Sequence, residues 1–178
     1  MVPGPQDPTR EGGVYPDLLL KSLGSPYFRT PVSKSLQLCD VLLVEDNPSD
    51  VYLTQVAFRR SRSESQIHVV EDGIQAMAFL RRELPYDSAP RPDLVLLDLN
   101  LPRKDGHKVL EEMKSDSELR KIPVIVLTTS TAEADINRCY ERHANCYIAK
   151  PVDFDQFERV VDEIESFWFN YVTLPRRD

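Results

Sequence analysis

The sequence predicts an α/β fold in which a doubly wound sheet of five parallel strands is flanked by five helices. Short apolar runs recur along the chain, as expected for strands that are covered on both faces. Segments with helical periodicity separate the runs, and no internal repeat interrupts this alternation. Such a pattern favours parallel β-α-β units with right-handed crossovers. The predicted strands are residues 41–44, 67–70, 94–97, 124–127 and 147–149.

Capping residues mark where the predicted helices begin. Asn47 precedes Pro48, and a cap followed by an early proline opens the first helix. Asp72 precedes the second helix, and Thr131 is expected to cap the fourth, which has acidic residues in its first turn. The second to fifth helices are predicted over residues 74–82, 109–113, 132–142 and 154–169.

The N-terminal segment differs in composition from the rest of the chain. The first 36 residues contain six of the 14 prolines and four of the six glycines, and such a segment sustains neither helix nor sheet. We therefore expect a disordered leader over residues 1–36, which is favoured over a docking peptide at 14–20. The remainder, residues 37–175, is expected to be a single α/β domain without an output domain.

The charge balance argues against several classes of protein. The 178 residues include 22 basic and 29 acidic side chains, a formal net charge of −7, which argues against direct DNA binding. Neither an apolar stretch of about 18 residues nor a signal peptide is present, so no membrane association is expected. Three cysteines without metal-site spacing indicate reduced thiols. We therefore expect a cytoplasmic protein.

Polar residues follow the predicted strands at their carboxyl ends, where open parallel sheets form their sites. These strand-end residues are Glu45, Asp46, Asp98, Thr128, Thr129 and Lys150. Crowded carboxylates repel one another, and a hard divalent cation with oxygen ligands relieves the repulsion. The sequence therefore predicts one Mg²⁺ per chain. Zinc and iron are not expected, because no cysteine or histidine approaches this edge in the sequence.

The chain resembles bacterial response-regulator receiver domains in five successive segments. They are VLLVEDNPSD, VVEDG, LVLLDLNLPRKDG, IPVIVLTTS and CYIAKP. The match covers about residues 39–170, with every diagnostic position in order. The resemblance implies the flavodoxin-like (CheY-like) form of the fold, with strand order 2-1-3-4-5.

The resemblance also implies how the acidic residues act. Asp98 is then the phosphoacceptor. Glu45 and Asp46 form the acidic pair that binds Mg²⁺, and Asp98 together with the backbone carbonyl of Asn100 completes the protein ligands. Such a protein takes part in its own phosphorylation and autodephosphorylation but is not an enzyme in the usual sense.

The remaining diagnostic positions concern the phosphoryl group and the switch. The resemblance implies that Thr128, Thr129 and Lys150 bind the phosphoryl group. Thr128 and Tyr147 are the expected switch residues, with Tyr147 moving from an exposed to a buried position. The bond between Lys150 and Pro151 is cis in the family, and this isomer is expected to aim the lysine into the site.

Three further features indicate which subgroup of receiver domains the chain resembles most. The stand-alone length, the long connection over residues 83–92 and the ending FWFNYVTLP are similar to small regulators that are partnered with cyanobacterial phytochrome histidine kinases. The expected function is therefore that of a stand-alone response regulator in a two-component phosphorelay, which signals by a conformational switch. A sensor histidine kinase, expected to be a phytochrome kinase, is the predicted phosphodonor.

The C-terminal region carries more apolar residues than one helix face can bury. Four residues at helical spacing supply the face that covers the sheet: Phe157, Val161, Ile164 and Trp168. The surplus residues are Phe167, Phe169, Tyr171, Val172 and Leu174. We therefore expect a homodimer with its interface at this end.

Two other functions use similar residues. A phosphatase or phosphotransferase of the haloacid-dehalogenase type also combines a strand-end aspartate with Mg²⁺, but it needs a general acid two residues later, where this chain has Asn100. A pseudo-receiver that binds a partner without being phosphorylated is the other alternative. The presence of every pocket residue argues against it.

Overall fold

The computed structural model describes residues 38–60 and 65–175, so the predicted leader lies outside the described residues. Five parallel strands form one sheet in the order β2-β1-β3-β4-β5. This confirms both the predicted fold class and the predicted strand order. The strands are β1 (Cys39–Val44), β2 (Ser65–Val70), β3 (Leu94–Leu97), β4 (Val124–Thr128) and β5 (Cys146–Ala149).

Five α-helices connect and follow the strands: α1 (Pro48–Arg60), α2 (Gly73–Arg81), α3 (Gly106–Ser115), α4 (Glu133–Glu141) and α5 (Phe154–Glu165). The Asp72 side chain caps α2 as predicted, accepting hydrogen bonds from the amides of Ile74 and Gln75. The prediction for α4 was wrong. Ala132, not Thr131, occupies its N-cap position and provides no side-chain hydrogen bond, while Ser130 Oγ accepts from the Ala132 amide. Within the described ranges, no helix is long and apolar enough to cross a membrane.

Strand alternation divides the core into two layers. Leu42, Val95 and Val126 point to one face of the sheet, where α2 and α3 cover them. Leu43 and Leu96 belong to the opposite layer, which is covered by α1 and α5. The three central strands are thus buried on both faces, which explains their uninterrupted apolar sequences.

The end of α5 differs from the predicted continuous helix. A π-helical segment, Ser166–Tyr171, follows Glu165. In this wider winding, residue i+5 lies one turn beyond residue i, so Phe169 follows Ile164 on the face that packs against the sheet. Phe169 is only 4% exposed. The prediction that Phe169 is available for a dimer interface is therefore corrected, because its own core buries it.

Candidate functional site

Backbone hydrogen bonds continue the sheet one residue beyond its strands. The amide of Glu45 donates to the Val70 carbonyl at 3.0 Å, and the amide of Asp98 donates to the Val44 carbonyl at 3.0 Å. The amide of Lys150 donates to the Thr128 carbonyl at 2.8 Å. The sheet thus positions the two carboxylate residues and the lysine at one edge, as the strand-end pattern predicts.

The Lys150 ammonium lies at the centre of this edge. Its Nζ is 2.5 Å from Glu45 Oε2, 2.8 Å from Asp98 Oδ2 and 2.8 Å from Asp50 Oδ2. The lysine side chain is only 6% exposed. One buried ammonium therefore neutralises only part of the charge of three surrounding carboxylates, and the site keeps a net negative charge.

Burial and the lysine act in opposite directions on the acidic groups. Burial raises the pKa of Glu45 above its usual value, although Lys150 opposes the shift. Burial would also raise the pKa of Asp98, but the hydrogen bond and charge of Lys150 outweigh it, so the pKa of Asp98 is lowered. The three carboxylates overcome desolvation and raise the pKa of Lys150. Asp98 is therefore ionised at neutral pH and can act as a nucleophile.

The other predicted residues surround Asp98 unequally. The Asn100 amide donates to Asp98 Oδ1 at 3.1 Å. Thr128 is fully buried, and its side chain contributes to the low pKa of Asp98 through a hydrogen bond. Thr129 is exposed and lines a cavity of about 240 Å³ that Asp50 and Lys150 also line. The structure thus brings Thr128 to Asp98 and leaves Thr129 at the mouth of the pocket.

Tyr147 is tied to the loop that follows β4. Its hydroxyl donates to the Ser130 carbonyl at 3.0 Å. The ring is half-buried and packs against the core layer beneath α2 and α3, and this burial raises the pKa of the phenol. The starting position expected for the switch residue is therefore corrected. In this structure Tyr147 already lies partly inward, because the Ser130 carbonyl provides a partner for its hydroxyl.

The expected cis bond at Pro151 is also corrected. Within the described ranges, the cis bond is Leu84–Pro85, and the bond between Lys150 and Pro151 is not cis. Sequence does not dictate the isomer, since the trans form of an X-Pro bond is favoured by only about 0.5–1 kcal/mol. The lysine nevertheless reaches the pocket, where three ion pairs orient its side chain.

The acidic edge fits a hard divalent cation by the chemistry of its donors. Asp46 is exposed beside the pocket. Glu45 and Asp98 each keep one carboxylate oxygen that Lys150 does not contact, and these oxygens accept the Asn47 and Asn100 amides. In the part of the chain that the structure describes, no three His, Cys, Asp or Glu residues already converge as a metal site. The available donors are all oxygens, which suits Mg²⁺ or Mn²⁺ rather than zinc.

Asp50 also belongs to the pocket, although the strand-end pattern does not predict it. It lies in the first turn of α1, and its sequence context indicated a helix start rather than a site. Its position four residues after Asp46 could have indicated that it belongs to the pocket. A helix that begins directly after the strand-end acids presents its first turn to the same pocket.

The fold and the site together define a phosphoacceptor module of two-component signalling. The model of the response regulator receiver domain family matches residues 41–162, and the chain belongs to that family.

Several characterised proteins are similar to this chain. Response regulator Rcp1 of Synechocystis sp. is 47% identical over 135 residues, which cover 76% of this chain and 92% of Rcp1. The structure of its Mn(2+)-bound form has a TM-score of 0.74 at 46% identity and covers 78% of this chain and 99% of that chain. The phosphorylated cyanobacterial phytochrome response regulator RcpA has a TM-score of 0.76 at 48% identity, covering 79% of this chain and 100% of RcpA. FilR2 of Methanothrix harundinacea, a probable methanogenesis regulatory protein, is 43% identical over 76% of this chain and 86% of its own length.

Proposed function

We propose that this response regulator accepts a phosphoryl group on Asp98 from a sensor histidine kinase. The observation that carries the proposal is the ionised Asp98 carboxylate at a strand end, with the Lys150 ammonium 2.8 Å away. Phosphoryl transfer needs positioning and charge neutralisation more than covalent assistance. The pocket offers both, and the protein acts as a signalling protein that contributes to its own phosphorylation and autodephosphorylation.

The transfer exchanges one bond to phosphorus for another. A carboxylate oxygen of Asp98 attacks the phosphorus of a phosphohistidine, and the new O–P bond forms as the P–N bond breaks. The leaving imidazole nitrogen keeps the electron pair and takes a proton from water. Lys150 and the Thr128 hydroxyl bind the oxygens of the transferred group, and Thr129 leaves the entrance open.

We propose Mg²⁺ as the metal of this site, one ion per chain. Glu45, Asp46, Asp98 and the backbone carbonyl of Asn100 would hold it, because they supply the oxygen donors of the acidic edge. A bound divalent cation would neutralise negative charge between the carboxylates and the phosphoryl group. The Mn(2+)-bound form of Rcp1 supports a divalent metal in a protein of this similarity.

The proposed kinase partner is a phytochrome. We also propose that the regulator acts in the cytoplasm and does not bind DNA directly. Support comes from RcpA, a phytochrome response regulator 48% identical to this chain. FilR2, at 43% identity, is named as a probable methanogenesis regulatory protein and not as a phytochrome response regulator. The partner therefore needs a direct test with purified kinases.

Asp98→Asn is expected to abolish phosphorylation. Full-length protein incubated with acetyl phosphate and Mg²⁺ should gain the mass of one phosphoryl group, and the variant should gain none, because an amide is not a competent nucleophile. The matched control is Asp87→Asn, at an exposed aspartate on the connection before β3, which should label like the wild type. Chelation of the metal should suppress the gain. Undiminished labelling of Asp98→Asn at another residue would contradict the assignment.

We also propose a homodimer that uses exposed residues at the C-terminal end. Phe167 is 55% exposed and Tyr171 80% exposed. Val172 and Leu174 are partly buried, and Leu174 also packs against its own core. Large exposed aromatic side chains are typical of interface centres, so the interface is centred on Phe167 and Tyr171 rather than on Phe169.

The double variant Phe167→Glu/Tyr171→Glu is expected to be monomeric and to retain phosphorylation. Truncating an aromatic residue at an interface centre lowers the free energy of association by about 2 kcal/mol or more. Two buried charges in each protomer would weaken the association further. Light scattering at tens of micromolar measures the change. Tyr52→Glu, at an exposed tyrosine of α1, serves as the control and should leave the mass unchanged. A wild-type protein that is monomeric with and without phosphorylation would rule the dimer out.

A further inference from the structure

The Asp50 carboxylate contacts the Lys150 ammonium at 2.8 Å, yet none of the roles described above uses it. We propose that Asp50 is a positioning residue that holds Lys150 in the resting protein and releases it to the phosphoryl group. The proposal rests on phosphorylation of Asp98, as proposed above, and names the residue that regulates this step.

All the hydrogen-bond donors of the Lys150 ammonium are already in use in this structure. A lysine ammonium has three N–H groups and no acceptor. In the resting protein three carboxylates surround it, at 2.5 Å for Glu45 and 2.8 Å for both Asp50 and Asp98. Each donor thus already has a partner. Lys150 can therefore bind a phosphoryl oxygen only after it gives up one of these three contacts.

Burial determines which contact is released. The side chain of Glu45 is 2% exposed and that of Asp98 is 6% exposed, whereas that of Asp50 is 24% exposed. A buried charge that loses its partner is strongly destabilising, but water can solvate Asp50. The first turn of α1 also favours a negative charge at Asp50, through the positive end of the helix dipole. Asp50 is therefore the partner that Lys150 leaves at least cost.

The surroundings of Asp50 provide room for the exchange. Asp50, Thr129 and Lys150 line the cavity of about 240 Å³ at the mouth of the pocket. Water in this cavity can replace the ammonium at Asp50 while the lysine side chain, already in contact with Asp98, turns toward a phosphoryl group on Asp98.

Asp50 consequently slows phosphorylation in two ways. Its ion pair must break before Lys150 binds the phosphoryl group, and its charge repels an incoming group that carries about −1.5 to −2 charges. Asp50→Asn removes the charge while keeping the shape of the side chain. We expect the rate constant of phosphorylation to rise about two- to fivefold, the range that corresponds to one partly exposed ion pair.

The first measurement follows phosphorylation of the full chain with acetyl phosphate and Mg²⁺ by intact mass. Asp50→Asn is compared with the wild type and with Asp155→Asn. Asp155 is an exposed acid in the first turn of α5, so the control makes the same charge change on a neighbouring helix. Asp50→Glu, which keeps the carboxylate, should return the rate toward that of the wild type.

The second measurement uses neither metal nor phosphate. Acetylation of Lys150 by acetic anhydride, quantified on its peptide by mass spectrometry, reports how firmly the carboxylates hold the ammonium. Asp50→Asn should raise this rate about two- to fivefold, as one ion pair is lost, and the other lysines should react as before. A merely structural role for Asp50 would not single out Lys150.

The outcomes separate the two proposals. Slower or unchanged phosphorylation of Asp50→Asn would contradict the proposal that Asp50 releases Lys150 to the phosphoryl group. An unchanged acetylation rate of Lys150 would overturn the resting contact itself, whatever the phosphorylation data show. If the wild-type protein gains no phosphoryl group at Asp98, both the proposed function and the release of Lys150 to the phosphoryl group are wrong. The acetylation rate still shows whether Asp50 holds Lys150 in the unphosphorylated protein.

Discussion

Lys150→Met is expected to lower the free energy of unfolding by about 3–5 kcal/mol at pH 7, the usual loss when one partner of a buried ion pair is removed. The Lys150 side chain is 6% exposed, and without it Glu45 and Asp98 remain at a buried edge with no cation between them. Methionine fills a similar volume, so the loss reports charge rather than packing. Urea unfolding measures it.

The loss should depend on pH in a defined direction. With the cation removed, burial is the dominant influence on both carboxyl groups, and their pKa values in the folded state should lie above those in the unfolded chain. The folded variant then binds more protons than the unfolded one. Its stability therefore falls as pH rises from about 4, the unfolded value, through the raised values. The deficit relative to wild type should accordingly be larger at pH 7 than at pH 5.

Lys108→Met provides the matched control. Lys108 is 68% exposed, and its pair with Asp105 is 3.8 Å long. Its removal should change stability by no more than about 0.5 kcal/mol. A deficit of Lys150→Met that is equally small, or that does not change between pH 5 and pH 7, would show that the buried carboxylates do not depend on Lys150.

Gly106→Ala is expected to destabilise the protein by about 2–3 kcal/mol and to slow phosphorylation. A Cβ at this first residue of α3 would overlap the carbonyl oxygen of Asp98 and lie 2.7 Å from the Cα of Leu99. Both neighbours are backbone atoms, so no side chain can turn away. Alanine is the better helix former by no more than about 1 kcal/mol. The clash therefore outweighs the gain in helix propensity and displaces the backbone of Asp98, the proposed phosphoacceptor.

Thermal or urea unfolding and the acetyl phosphate assay measure the two effects of Gly106→Ala. Lys108→Ala, at an exposed position of the same helix, should be neutral in both. If Gly106→Ala matched the wild type in both, α3 would have to begin farther from Asp98 than it does in this structure.

The sheet and most of the pocket could be predicted because their signals are local. The strands β1, β3 and β4 are covered on both faces, so burial demands uninterrupted apolar runs, and the residues after each run come to one edge. The edge strands β2 and β5 are less buried, and β2 also carries the polar residues Ser65, Gln66 and His68. The predicted range of β2 began two residues too late and that of β5 one residue too late. The range of β1 also began two residues too late, because the strand opens with Cys39 and the polar Asp40 rather than with its apolar run.

The features that the sequence did not reveal depend on contacts between distant segments. Asp50 belongs to the pocket because Lys150, one hundred residues later, reaches it. The π-helical turn after α5 has no local signature, since it is stabilised by the burial of Phe169 against the sheet. The isomer at Pro151 involves an energy difference too small for sequence patterns to decide.

The backbone hydrogen bonds beyond the strand ends determine which backbone segment can move when Asp98 gains charge. Asp98 is bonded through its amide to Val44, and Lys150 through its amide to Thr128. A charge added at Asp98 therefore meets a main chain that cannot yield without separating strands. We therefore expect displacement in the segment after Thr128, where Ser130 donates to the Asp135 carboxylate through its hydroxyl and accepts from the Tyr147 hydroxyl through its carbonyl. On this expectation the sheet stays fixed when Asp98 gains charge, and the segment after Thr128 carries the change to Tyr147 and to the start of α4.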